Sequence, residues 1–303
     1  MSKKKIVLLG GGHGLSAILK SFIDEDYDTS IIISTTDNGG HTGLLRKEFD
    51  IPALGDIRRC LSEVTRNKIL RKLLDYRFEE VHNIKDLSLG NLILLSLLDE
   101  DLESSLLILK NELSLPITLL PSLNYSTDIY AKYKDNSIIK GEVNIPQNKK
   151  IKDIFYDEKT YITPTVKQTL KEADYIVISP GSLYTSILPI LAIEDIKKII
   201  KKSKAPLIYV SNIMTQNKET DGYSMDDIIK TIECKIKRKL DIVIASSSLI
   251  NKEKRERYSY ELSFQIKESN DKRIIYADLL DDNSNYIRHD SLKLKSIVKT
   301  ILK

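Results

Sequence analysis

Gly10-Gly11-Gly12-His13-Gly14 offers backbone amides that an anion can approach closely, because four of its five residues lack a Cβ. A helix after such a loop adds the positive end of its dipole. Phosphate or nucleotide contact is therefore expected at Gly11, Gly12, His13 and Gly14. The dinucleotide fingerprint is only partly met, since Leu15 takes the third glycine's place. A turn needed only for helix packing is the plainer alternative. Asp37-Asn38-Gly39-Gly40-His41-Thr42-Gly43, ending near Arg46, is a second such stretch. Asp37 stands where a ribose diol would be held. It could equally take a divalent cation through oxygen, or simply start an Asx turn. Gly55-Asp56-Ile57-Arg58-Arg59 adds an acid and two guanidinium groups. Arg58 offers a planar fork for phosphate oxygens, and Asp56 reads as a helix N-cap. Neighbouring helix residues diverge by about 100°, so one of the two arginines faces solvent.

Ser179-Pro180-Gly181-Ser182-Leu183-Tyr184-Thr185-Ser186 is another strand-to-helix loop. Gly181, Ser182 and Thr185 could cradle phosphate and Tyr184 could stack on a ring; Ser186 alone reads as a helix cap. Asn212, Thr215 and Gln216 carry groups that read sugar and base edges, whereas Asp221-Gly222 by itself is an ordinary turn. The four histidines are His13, His41, His82 and His289. There is no HExxH, nucleophile elbow or Walker lysine. His13 and His41 fall in two loops expected to face each other across the strand ends.

The elements that must hold these loops alternate strand and helix. Strands are expected at 5–9, 29–35, 175–179, 206–211, 241–245 and 273–277. Helices are expected at 15–22, 57–64, 70–74, 90–109, 186–201, 225–235 and 291–302. The apolar 90–109 stretch reads as buried. Between about 117 and 161 short extended segments, with a Lys134-Asp135-Asn136 turn, read as a β insertion. The grammar implies one α/β domain over 1–303: a Rossmann-like, mostly parallel sheet with helices on both faces. Ligands of such sheets lie beyond the strand carboxyl ends, where the polar loops fall.

The chain has 303 residues and 41% hydrophobic content, enough for a sizeable core. Its +4 charge is a small excess of 47 basic over 43 acidic residues and does not argue for nucleic acid. The Lys runs alternate with Ile and Leu and read as solvated helix faces. Two distant cysteines, Cys60 and Cys234, form no disulfide framework or zinc motif. No apolar run is long enough for a span and no signal-peptide core is visible, so a cytoplasmic location is expected.

Taken together, the motifs resemble the YvcK/CofD-like family, on its YvcK branch of gluconeogenesis factors. Carrying the resemblance are Gly10–Ser16, Asp37–Gly40 with Gly43 and Arg46, Gly55–Arg58 with Cys60-Leu61, and Leu89-Gly90-Asn91-Leu92. Further along come Pro180–Ser186, Asn212–Gln216, Glu219–Ser224, Arg257-Tyr258 and Ile287–Asp290. The resemblance implies binding of UDP-sugars such as UDP-N-acetylglucosamine, and a role in carbon metabolism, cell shape and envelope synthesis. It places Tyr258 and Arg288 on the ligand and adds Asn91 and Asp221 to the site. Regulatory protein partners and self-association fit such a role; nucleic acid and a membrane span do not. The CofD branch implies instead a Mg²⁺-dependent transferase of a phospholactyl group, with Asp37 on the metal side. A dinucleotide-dependent oxidoreductase is a third, weaker expectation, since the third fingerprint glycine is missing.

Overall fold

The computed structural model describes residues 2–79, 85–98, 101–145, 149–260 and 263–302. The chain begins with β1 (Lys4–Gly10), α1 (Gly12–Ile18), a 3-10 turn (Leu19–Phe22) and β2 (Tyr27–Ile33). Five helices follow: α2 (Gly40–Phe49), α3 (Gly55–Val64), α4 (Lys68–Asp75), α5 (Leu89–Ser96) and α6 (Leu102–Glu112). After β3 (Thr118–Pro121) come β4 (Tyr130–Tyr133), β5 (Ile138–Lys140), a 3-10 turn (Glu142–Asn144) and β6 (Ile151–Phe155). Then α7 (Pro164–Lys171) leads to β7 (Tyr175–Ile178), a π turn (Leu183–Ile187), α8 (Leu188–Ala192) and α9 (Glu194–Lys202). The chain finishes with β8 (Leu207–Val210), α10 (Met225–Ile236), β9 (Ile242–Ser246), α11 (Lys252–Tyr260), β10 (Ile274–Ala277) and α12 (Ser291–Ile301).

Seven strands form one parallel sheet in the order β10-β9-β8-β7-β1-β2-β3. β1 pairs with β2 on one side, Lys4 opposite Tyr27, and with β7 on the other, Ile6 opposite Tyr175. Being buried on both faces, these strands are continuous apolar runs with alternating destinations. Val7 and Leu9 pack with residues of α7 to α10, while Ile6 and Leu8 pack with α1, α3 and α12. From β1 the order runs outward through β2 and β3 one way and through β7 to β10 the other. The direction of winding therefore reverses between β1 and β7, and the loops after them part to leave a crevice.

Several expectations shift. Thr118–Pro121 lies inside the segment read as an insertion but pairs with β2 in the main sheet. The separate antiparallel sheet is β5-β4-β6, with the Lys134–Asn136 turn joining β4 to β5. The stretch read as one buried helix over 90–109 is two, because Asp101 accepts the Ser104 amide as the cap of a new helix. It is not apolar-buried throughout, since Leu97 and Ile108 are exposed. α2 and α7 were not expected. Gly39–Gly43 looks like loop, yet the helix begins at Gly40; α7 starts at Thr163-Pro164, a capping residue followed by a proline in the first turn.

Candidate functional site

A cleft of about 380 Å³ opens where the sheet reverses. It is lined by Gly12, His13 and Gly14 after β1, Pro180, Gly181, Ser182 and Ser186 after β7, Asn212, Ile213, Met214 and Gln216 after β8, and Ile287 to His289 before α12. The two glycine loops touch. A Cβ on Gly14 would lie 2.4 Å from the Pro180 carbonyl oxygen and 2.8 Å from the Gly181 nitrogen. Only a residue without a side chain lets these backbones meet.

Much of the loop backbone is already held by side chains. The Gly12 N–H donates to Asp56 Oδ2 at 2.5 Å, and Asp56 Oδ1 takes Arg59 at 2.6 Å. Asp56 is thus no N-cap: Leu54 holds that position and Asp56 sits in the first turn. Its carboxylate occupies an amide that was expected to face a ligand. Asn212 grips Gly181 twice, accepting its N–H at 2.8 Å and donating to its carbonyl at 2.7 Å. Ser182 accepts from the Thr185 amide and hydroxyl and donates to Glu219, which also accepts the Tyr184 N–H. Burial pushes the Glu219 carboxyl above its ordinary range.

Beside the cleft the loop after β2 meets the insertion. Asn38 Oδ1 accepts the Val143 N–H at 3.0 Å, and Asp37 Oδ1 accepts the Gly39 N–H at 2.8 Å. Burial, and secondarily the Asp56 charge, raise the Asp37 carboxyl. Glu142 in the insertion's 3-10 turn is pushed up to about 7 by burial and then by the nearby Asp37 charge, while its hydrogen bond with Thr185 opposes the shift. Asp37, Asp56 and Glu142 therefore feel one another. Among the described residues no three His, Cys, Asp or Glu side chains gather to hold a metal ion. Both Asp56 oxygens already accept hydrogen bonds, from the Gly12 amide and from Arg59.

Other expected site residues serve the scaffold. Arg46 is buried and donates to the Thr36, Asp37 and Thr127 carbonyls, clamping the Asp37 loop. Arg58 turns into the core and donates to the Leu74 carbonyl at 2.9 Å and to Asp75; Arg59, the neighbour assigned no ligand role, faces Asp56. Asn91 is buried in the first turn of α5 and lines no part of the cleft. Tyr184 is 3% exposed with its hydroxyl on Tyr223, so it stacks on no ligand. Asp221 is an exposed turn residue accepting the Lys218 N–H, and Thr215 pairs with Phe264. Gly39 and Gly40 open α2, outside the cleft lining. His13 lines the cleft and His41 does not; His82 lies outside the described residues.

Arg288 lines the cleft mouth, half-exposed, with one 3.1 Å contact to Asp281. Tyr258 reaches the same segment by accepting the Ile287 N–H at 3.0 Å through its hydroxyl. Next to Arg288, His289 is buried, with Nε2 unpartnered and burial holding its pKa down to about 4. Glu142, Glu219, Arg59 and His289 are the site residues that sequence reasoning did not assign. Arg59 carried a signal in its adjacency to Arg58, and Glu219 and His289 in the stretches Glu219–Ser224 and Ile287–Asp290 that carry the family resemblance; Glu142 carried none.

Fold and cleft together define a doubly wound α/β protein of Rossmann-like type, with its site at the reversal of strand order. The chain belongs to the CofD family: the family model for 2-phospho-L-lactate transferase CofD matches residues 6–280. It is 32% identical over 316 residues to the gluconeogenesis factor of Bacillus subtilis, covering 99% of each chain. It is 39% identical over 239 residues to that of Halalkalibacterium halodurans, covering 77% of this chain and 74% of the relative. A crystal structure of a Bacillus halodurans protein superposes with a TM-score of 0.94 at 32% identity, covering 100% of both chains. No described helix is long and apolar enough to cross a membrane.

Proposed function

We propose that this chain is a regulatory protein that binds a nucleotide-linked sugar, of the UDP-N-acetylglucosamine type, in the cleft between the β1 and β7 loops. The observation carrying the reading is the meeting of both glycine loops with Arg288 around one polar cleft at the switch point. Its volume falls in the range of small-molecule sites. Arg288 supplies a guanidinium for a diphosphate. Gln216 lines the cleft with its amide nitrogen on Glu219 and its amide oxygen left to accept from a ligand, and Met214 and Ile287 supply apolar surface for a ring. The name gluconeogenesis factor, borne by relatives, agrees with a role in carbon metabolism; links to cell shape and envelope synthesis belong to the same proposal. Calorimetry with UDP-N-acetylglucosamine, UMP and free N-acetylglucosamine tests it. Saturable heat is expected with the intact nucleotide sugar and weaker binding with either half. Absence of heat and of any thermal shift with nucleotide sugars sinks it.

A second reading, transfer of a phospholactyl-type group from a nucleotide-activated donor, draws on the family model's name and on Glu142. A carboxyl poised at about 7 suits general acid or base work near neutral pH. Purified protein with donor, acceptor and added Mg²⁺ should then form product, and Glu142→Gln should abolish it. Inertness of the wild type across donors removes this reading and leaves the first untouched.

A further inference from the structure

At the opposite end of the same strands lies a second concavity, about 560 Å³, between α7 and α9. Ala173, just before β7, and Ser203 to Ala205, just before β8, place it at the strands' amino ends, away from the nucleotide-sugar cleft. Its floor is apolar, made of Ala173, Ile199 and Ala205, and its rim carries Lys167, Lys171, Lys198, Lys202 and Lys204. Asp195 is the one acid in the lining. Five lysines less one aspartate give +4, equal to the net charge of the whole chain. All five lysines are exposed. Lys198 makes only a 3.9 Å contact with Glu194, and the other four have no ion pair among the described residues. Lys171 and Lys202 close their helices, where a cation complements the dipole. That account does not extend to Lys167, Lys198 or Lys204.

The kind of charge narrows the partner. Among the described residues the rim has lysines and no arginine, so it lacks the planar forks that hold phosphate bidentately. Among the described residues no aromatic side chain lines it on which a base could stack. A concave site with its apolar atoms on the floor does not match a bilayer face, which would need apolar side chains that project. A peptide can place aliphatic groups on Ile199 and carboxylates among the ammonium groups. We propose that this groove docks a short acidic segment of a partner protein, with alternating aliphatic and acidic side chains. Ligand and partner then meet opposite ends of β7 and β8. The contacts are exposed, so the interaction is salt-sensitive.

The probe is a fluorescein-labelled twelve-residue peptide alternating Glu and Leu, followed by anisotropy at low and high salt. Wild type is compared with K171E/K198E/K202E and with K47E/K72E/K159E, which changes net charge equally at exposed positions elsewhere. Expected are saturable binding by wild type, at least ~10-fold weakening in the groove variant and under ~3-fold in the control, with ordinary salt screening. A Glu–Ser peptide should bind more weakly than Glu–Leu because it leaves the floor uncovered. Should the charge reversal lower the melting temperature, K171Q/K198Q/K202Q carries the same comparison. Equal weakening in both variants, no binding by wild type, or indifference to Leu versus Ser overturns the proposal. Tighter binding to single-stranded DNA or phosphatidylglycerol vesicles overturns it in favour of those partners.

Discussion

Gly14→Ala tests whether the two glycine loops are held together by backbone contact. The new Cβ would sit 2.4 Å from the Pro180 oxygen, 2.5 Å from its carbonyl carbon and 2.8 Å from the Gly181 nitrogen. Ordinary contact needs roughly 1 Å more, and the obstacle is backbone, so no rotamer change relieves it. The β7 loop cannot retreat easily, because Pro180 restricts φ and Asn212 holds Gly181 by two hydrogen bonds. Overpacking of this kind costs about 1–3 kcal/mol, and a broken hydrogen bond adds about 1 kcal/mol. A loss of about 2–4 kcal/mol is expected. Gly12→Ala is the internal comparison. Gly12 has φ +68°, and its nearest non-local atom is Ser186 Oγ at 3.6 Å, so only backbone strain of about 1 kcal/mol applies. Urea unfolding at 25 °C gives both values, and calorimetric melting should show about 2 °C lost per kcal/mol at this chain length. Gly14→Ala should also abolish saturable heat with UDP-N-acetylglucosamine at concentrations that saturate wild type. If Gly14→Ala proves no more costly than Gly12→Ala, the loops do not meet as described and the cleft argument fails.

Glu142→Gln should make stability less dependent on pH. The folded carboxyl titrates near 7 against an ordinary 4.5, so from about pH 4.5 to 7 the folded state holds a proton that the unfolded chain has released. Wild-type stability attributable to Glu142 therefore falls as pH rises through that window, by at most about 3 kcal/mol. The gap between variant and wild type should swing by that order toward the variant in urea titrations with EDTA; a pH-independent gap refutes the shift. Arg288→Ala should leave the melting temperature nearly unchanged, since its exposed ion pair is worth under about 1 kcal/mol, yet weaken nucleotide-sugar binding about 10-fold or more by calorimetry. Arg58→Ala should do the reverse, costing about 2–4 kcal/mol in denaturation because the buried Leu74 carbonyl loses its donor, with ligand affinity of the folded fraction unchanged.

What the sequence made legible follows physical range. The apolar strands of the main sheet and the glycine turns after β1 and β7 are local signals, and they placed the polar loops at the strands' carboxyl ends; the strand order that puts the reversal between β1 and β7 is not local. Side-chain destination is not local. Arg58 and Arg59 look alike in sequence, and only the packing of α3 against α4 and α5 decides that Arg58 turns into the core and Arg59 toward Asp56, so that neither of the pair faces open solvent. Tyr184 sits in a loop of binding-type residues, but the π turn carries its ring into the core, where burial outweighs any stacking role. Glu142 had no signal at all. It reaches the site because the insertion folds back onto Asn38, a contact 105 residues apart in sequence. The break between α5 and α6 was written in Asp101, but the apolar run on either side masked it.

The commitments of the cleft's own groups constrain how it can recognise anything. Asp56 takes the Gly12 amide, Asn212 takes both peptide groups of Gly181, and Ser182 takes the Thr185 amide. Each bond rigidifies a loop before any ligand arrives, which reduces the ordering cost of binding. Each also removes a donor that a phosphate would otherwise use. The carboxylate beside Gly12 repels an anion at close range, so the diphosphate is expected nearer Arg288 than nearer the Gly11-Gly12 turn. Asp37 and Glu142 lie beside the cleft and not in its lining, where their acidic groups disfavour a second anionic group nearby. A nucleotide sugar whose ring bears a carboxylate in addition to the diphosphate should therefore bind less well than one whose charge is on the diphosphate alone, and paired calorimetry with UDP-N-acetylglucosamine and UDP-glucuronic acid measures that difference.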